Sequence, residues 1–248
     1  MFLSDRRAVR SSGEKSEDQP TLATREGIAE SHLLRGLPPD QVANFLCHAT
    51  QKAWEQGVWI CREGEPARHI FLLMKGRVRV YRATSEDREI LLGLSAPGTV
   101  FGYEAFIECS TYPISAMAAQ ASAAAVWDSD TIRRLMLEDP RLALNALEMA
   151  VDRLHDCENH YGQLATLPTA QRIAETLAQL ASRIGAKTNG AILIRDLSAQ
   201  DLADLSGTTI YTVSRVLSDW HRRGVIQKDR RQIILFDQNA LLTSHEHN

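Results

Sequence analysis

The 248 residues leave room for two domains, and a hydrophobic content of 44% is enough to build cores. A formal net charge of −3 gives no bulk sign of a nucleic-acid binder, yet the balance is uneven, with ten Lys and Arg against eight Asp and Glu from Pro168 onward. The polar N-terminus carries no secretory signal and the longest apolar runs are far shorter than a membrane span, so a cytoplasmic protein is expected.

In chain order, residues 1–25 are charged, contain serines and lack periodicity, which predicts a disordered polar tail. A short helix is expected from about 39 to 50, where Val42, Phe45 and Leu46 share a face. The period then changes to two. Glycines at 57, 64, 76, 98 and 102 separate the runs VWIC, HIFLLM, RVRVY and EILLGL, and in RVRVY the valines Val78 and Val80 alternate against Arg77 and Arg79. Short strands between glycine turns predict a small antiparallel barrel or a jelly-roll-like β-roll over 26–130. The stretch ISAMAAQASAAAVW (114–127) favours helix through its alanines but is read as strand from its context.

From Asp130 the period is helical again. After Pro140, the residues Leu144, Leu147, Val151, Leu154, Tyr161 and Leu164 follow a three-four repeat, and a long helix is expected within 131–167. Glu158 stands where that repeat would place an apolar group, so the line fits either a core helix or the seam of a two-helix dimer.

The segment 194–226 reads as two short helices joined by a turn led by Gly207. Ser198 is a suitable N-cap with Asp201 three residues on, and Leu202 and Leu205 mark one face. Thr208 and Thr209 offer a second cap, after which the spacing of Ile210, Val213, Val216 and Leu217 predicts a buried face. Tyr211, Thr212, Ser214 and Arg215 then lie opposite. An Arg can donate two hydrogen bonds to guanine O6 and N7, so Arg215 is the candidate for specificity. A two-stranded wing is expected next, with Lys228, Arg230 and Arg231 at its turn, placed to touch phosphates. The plain alternative for the two helices is a helical hairpin in an ordinary domain.

Catalytic signatures are missing from the sequence. No HExxH, GxSxG or GxxxxGK[ST] occurs, and the cysteines at 47, 61, 109 and 157 form no CxxC pair, which predicts reduced thiols and no enzyme activity.

The order of roll, long helix and winged helix-turn-helix resembles the Crp/Fnr family of bacterial transcription regulators. The resemblance rests on GEPARHIFLLMKGRVRVYR (64–82) and LSAQDLADLSGTTIYTVSRVL (197–217) and covers about 28–240. It implies an α+β fold with the N-terminal β-roll sensing an effector, a dimerisation helix over 131–167 and a winged DNA-binding domain over 168–248. It further implies a homodimer that binds a palindromic site in double-stranded DNA, contacts RNA polymerase and is controlled allosterically.

Carried over by position, the base-reading residues are Ile210, Tyr211, Ser214 and Arg215, with Thr209 and Thr212 as phosphate contacts; Ser198 and the wing residues Arg230 and Arg231 join them as expected phosphate contacts. Tyr211 departs from the Glu that most members carry. The effector pocket falls on Phe101, Gly102, Glu104, Ser115 and Met117. A cyclic nucleotide is disfavoured, because the family's Arg-Ser pair reads Ile114-Ser115 and no Lys or Arg occurs over 89–132. An iron–sulfur cluster is disfavoured too, since 1–46 contain no cysteine. Haem is the remaining cofactor candidate, with His32 and His69 as metal ligands and His155 and His160 as further histidines. The second reading of the whole chain is a cyclic-nucleotide-binding regulatory module.

Overall fold

Strand β3 (His69–Lys75) is apolar on both of its faces, and the architecture follows from that. Ile70, Leu72 and Met74 point one way and Phe71 and Leu73 the other, and all five are buried. This computed structural model describes residues 31–236 apart from 86, 87 and 189, together with Leu241, so the tail expected over 1–25 lies outside the described residues.

Phe71 and Leu73 face a second sheet. One antiparallel sheet has the order β1 (Thr50–Trp54), β8 (Ser122–Asp128), β3 and β6 (Val100–Phe101); the other has β2 (Trp59–Cys61), β7 (Ser115–Ala118), β4 (Val78–Ala83) and β5 (Glu89–Ser95). Between them pack Cys61, Val78, Phe101, Tyr112, Ala116 and Val126. The alanine-rich stretch is β7 and β8, as its context suggested. Ala116, Ala118 and Ala124 are fully buried there, and closely packed sheets leave space for no larger group.

Ile70, Leu72 and Met74 face helices instead. They meet Phe45 of α1 (Pro39–Cys47), Ile132 and Leu135 of α2 (Ser129–Glu138) and Leu142 of α3 (Pro140–Thr166). Trp127 closes this core, its ring 4.4 Å from Phe45 and its Nε1–H donating to the Phe45 carbonyl at 3.0 Å. The helical region 131–167 is therefore two helices. Asp139 ends α2 and caps α3 by accepting from Arg141 N–H, and Pro140, which has no N–H to donate, begins α3.

The long helix α3 has two unlike faces. Buried Asn145 donates to the carbonyls of Leu33 and Arg35 and ties the N-terminal turn to the helix. Leu144, Leu147, Val151, Leu154 and Tyr161 are exposed in a line.

Beyond Leu167 and Pro168 lies the winged domain: α4 (Thr169–Ile184), β9 (Ala186–Thr188), β10 (Ala191–Arg195), α5 (Ala199–Leu205), α6 (Ile210–Arg222), β11 (Ile226–Asp229) and β12 (Gln232–Leu235). Its sheet runs β11, β12, β10, β9, and its core joins Ile173, Leu177, Ile194, Leu202, Val213, Leu217, Trp220 and Ile233. The helix α4 and the pair β9 and β10 add to the two helices and wing read from the sequence.

One alternation has a different outcome from its appearance. Arg77 and Arg79 do leave the roll interior, but Arg79 is only 9% exposed because the winged domain covers the outer face of β4 and β5. Leu91 and Leu94 of β5 are part of the winged domain's core.

Candidate nucleic-acid interface

Helix α5 begins with a reciprocal cap. Ser198 Oγ accepts from Asp201 N–H at 3.1 Å, and the Asp201 carboxylate accepts from Ser198 N–H at 2.8 Å. The helix ends at Ser206 and turns through Gly207, whose φ of 61° lies in the left-handed region. A Cβ at Gly207 would run into the Leu164 side chain of α3, so glycine lets the turn seat against the long helix. Arg172 fastens the same joint, its guanidinium donating to the carbonyls of Leu167, Ser206 and Gly207.

Thr209 caps α6 by accepting from Thr212 N–H at 3.3 Å, an arrangement that contributes about 1 kcal/mol. Val213, Leu217 and Trp220 bury one face, at about 1.5–3 kcal/mol for each large apolar side chain. The other face is open. Tyr211 is 84% exposed, Ser214 and Arg215 are exposed, and Arg215 enters no ion pair among the described residues. Ile210, assigned to the core by its spacing, is 38% exposed instead, because the first turn of α6 projects beyond the body of the domain.

The wing lies beside this face. Arg230 and Arg231 are exposed at the turn between β11 and β12, but Lys228 is not free there: its Nζ donates to Ser218 Oγ of α6 at 2.8 Å and braces the wing against the helix. Between them a cleft of about 270 Å³ is lined by Ser214, Leu217, Lys228 and Arg230 among others. Asp219 sits between Arg222 and Arg223 at 3.1 and 3.6 Å, so one carboxylate offsets only part of the charge of two guanidiniums at the end of α6. Ser198 and Thr209 are helix caps, and the Thr209 and Thr212 hydroxyls lie 3.0 Å apart on the exposed N-terminal turn of α6.

In the roll, the expected pocket residues separate. Phe101 is buried and stacked on Phe71 at 4.9 Å, within the core between the sheets. At Gly102, with φ 76°, a Cβ would come within 2.8 Å of the His69 carbonyl oxygen, so the position leaves no space for a side chain. Glu104 has a buried Oε2 with no hydrogen-bond partner among the described residues, and burial pushes its carboxyl above the usual range. Ser115 Oγ accepts from Glu63 N–H at 3.0 Å, and Met117 is half-buried on β7.

These residues do not fit a cyclic phosphate, which would meet Ile114 and an engaged Ser115 and no cation from 89–132. The histidine pair is not assembled either. His32 Nδ1 faces Asp152 of α3 at 3.8 Å, whereas His69 lies against Phe71, its backbone N–H and carbonyl both bonded to the Tyr112 hydroxyl. Among the described residues no helix is long and apolar enough to cross a membrane.

Known proteins share this arrangement. The family model of the cyclic nucleotide-binding domain matches residues 51–139, and that of the Crp-like helix-turn-helix domain matches 171–243. The nitrogen fixation regulation protein FixK of Rhizobium meliloti is 30% identical over 189 residues, which cover 76% of this chain and 83% of FixK. The CRP-like cAMP-activated global transcriptional regulator of Mycobacterium tuberculosis is 26% identical over 217 residues, 87% of this chain and 97% of that one. The structure of FixK2 from Bradyrhizobium japonicum superposes with a TM-score of 0.67 at 26% identity, covering 78% of this chain and 95% of FixK2. With its roll, its winged domain and an open reading helix, the chain belongs to the Crp/Fnr family and is a DNA-binding transcription regulator.

Proposed function

We propose that the chain binds a palindromic operator as a homodimer, with α6 of each copy in one of two successive major grooves. The observation that carries this reading is the exposed face of α6, where Tyr211, Ser214 and Arg215 stand beside the wing turn of Arg230 and Arg231. Arg215 donates to guanine O6 and N7. Tyr211 and Ile210 supply apolar or stacking contact, and Ser198, Thr209, Thr212, Arg230 and Arg231 hold phosphates and fix the register.

The exposed line from Leu144 to Tyr161 supports the dimer, since five large apolar side chains on one helix face gain by covering one another. Two-fold pairing spaces the reading helices by about 34 Å, one turn of DNA. RNA polymerase is the protein partner of the bound dimer, in the cytoplasm. The roll carries the control, and its effector is neither a cyclic nucleotide nor a haem bound by His32 and His69 together. It brings a hydrogen-bond donor to Glu104 Oε2.

Selection from random duplex DNA at fixed salt tests the reading. The expected result is an enriched palindrome with one guanine per half-site that the Arg215→Ala variant no longer selects. Equal enrichment by both proteins would overturn the role of Arg215.

A further inference from the structure

The contact between roll and winged domain within one chain is made of more than touching surfaces. Arg79 of β4 donates to Asp201 Oδ1 at 2.6 Å and to Oδ2 at 2.9 Å, and it also donates to the Asp196 carbonyl at 2.6 Å. The two side chains are 11% and 10% exposed. Asp196 itself is a non-glycine residue at φ 58°, a conformation that this bond helps to hold. Beside it, Arg77 donates to the Arg195 carbonyl, and Leu91 N–H donates to Asp204 Oδ2 at 3.2 Å.

Asp201 is the acceptor of the reciprocal cap that starts α5, so one carboxylate both begins the first helix of the DNA-binding pair and fixes that helix to the roll. On the other side, β4 pairs with β7 so that Arg79 lies opposite Met117 and Tyr81 opposite Ser115. Met117 and Ser115 are two of the residues that the sequence places in the effector pocket. A shift of β7 therefore reaches Arg79 through a single hydrogen-bonded strand register.

We infer that Arg79 is a positioning residue for DNA recognition: its pair with Asp201 seats α5 and α6 on the roll of the same chain in the DNA-competent pose, and its register with β7 makes that seat responsive to the roll. In the seated pose Tyr211, Ser214 and Arg215 are open to a duplex. The inference rests on the operator-binding reading above.

The test uses the full chain, the selected palindrome at fixed salt, and the variants Arg79→Met, Arg79→Lys, Asp201→Asn and the double variant Arg79→Met with Asp201→Asn. Arg79→Met and Asp201→Asn each weaken binding by about tenfold, within the usual range for coupled sites, and the double variant is no weaker than the worse single one. Arg79→Lys, which keeps the charge but not the two-pronged geometry, gives a smaller loss and serves if Arg79→Met fails to fold. Small-angle X-ray scattering without DNA reports a larger radius of gyration for Arg79→Met, a readout that a purely local packing role would not move.

Wild-type affinity and wild-type scattering in the folded variants overturn the inference, and so does tighter binding. If Arg215→Ala also binds like the wild type, the operator reading has failed. If Arg215→Ala loses binding while the Arg79 variants do not, only the seating role has failed.

Discussion

Arg215 and Arg79 carry the same side chain on the outward face of a regular element, and the molecule uses them in opposite ways. Arg215 stands in solvent on α6 with no ion pair among the described residues, whereas Arg79 on β4 is 9% exposed and held by a carboxylate and a carbonyl. The difference teaches that period decides which face a residue takes, while another domain decides whether that face meets water. An open arginine is available to a ligand; a covered one is committed to holding the structure.

The strongest way to break this contrast is to remove the covered group. Losing one member of a buried ion pair leaves an unpaired charge, so Arg79→Met is expected to destabilise the full chain by about 3 kcal/mol. Urea unfolding followed by tryptophan fluorescence checks it. A change below about 0.5 kcal/mol would place Arg79 among ordinary surface residues.

Removing the open arginine has the converse signature. Arg215→Ala is expected to leave stability within about 0.5 kcal/mol of the parent, as for an exposed residue. It should cost about 1–3 kcal/mol of discrimination at one base per half-site, measured by competition between the palindrome and a copy substituted at the guanine. Uniform weakening on both DNAs would make Arg215 a phosphate contact.

The open side was the more legible in the sequence, for physical reasons. Thr209, the Val213 and Leu217 spacing and the charged turn after Asp229 are local signals, and α6 and the wing stand where those signals put them. The two sheets follow from glycine-bounded apolar runs. Helix α4 was missed although Ile173, Leu177, Leu180 and Ile184 carry a helical spacing that would have revealed it. The Arg79–Asp201 pair had no local signal, because the partners are far apart in the chain and alternation cannot say what covers a strand. Position alone assigns Phe101 to the effector pocket, whereas its stacking on Phe71 places it in the core between the sheets.

Acid offers a gentler way to separate the two arginines. Burial raises the Asp201 carboxyl, but hydrogen bonds from Arg79 and Ser198 outweigh it and hold the group below the usual carboxylate range. For a depressed carboxyl, the stabilisation is complete above the unfolded value of about 3.9 and is lost as pH falls through the lower folded value. The seat should therefore stay closed on mild acidification and open only below about pH 4, seen as expansion in X-ray scattering. Asp201→Asn removes this acid-dependent opening, and a transition near neutral pH would assign it to another group.

The smallest effect belongs to the wing. Arg230 is exposed at a turn, so its replacement by Ala should barely alter stability or sequence preference. What it should alter is the salt dependence. A side chain that neutralises one phosphate releases counterions on binding, and losing it makes the slope of log affinity against log salt shallower by about 1 for each chain. Arg215→Ala, which removes a base contact, should change base preference more than this slope. The pair of measurements thus divides the open arginines themselves into one that reads and one that holds, and an unchanged slope for Arg230→Ala would place the wing turn away from the DNA backbone.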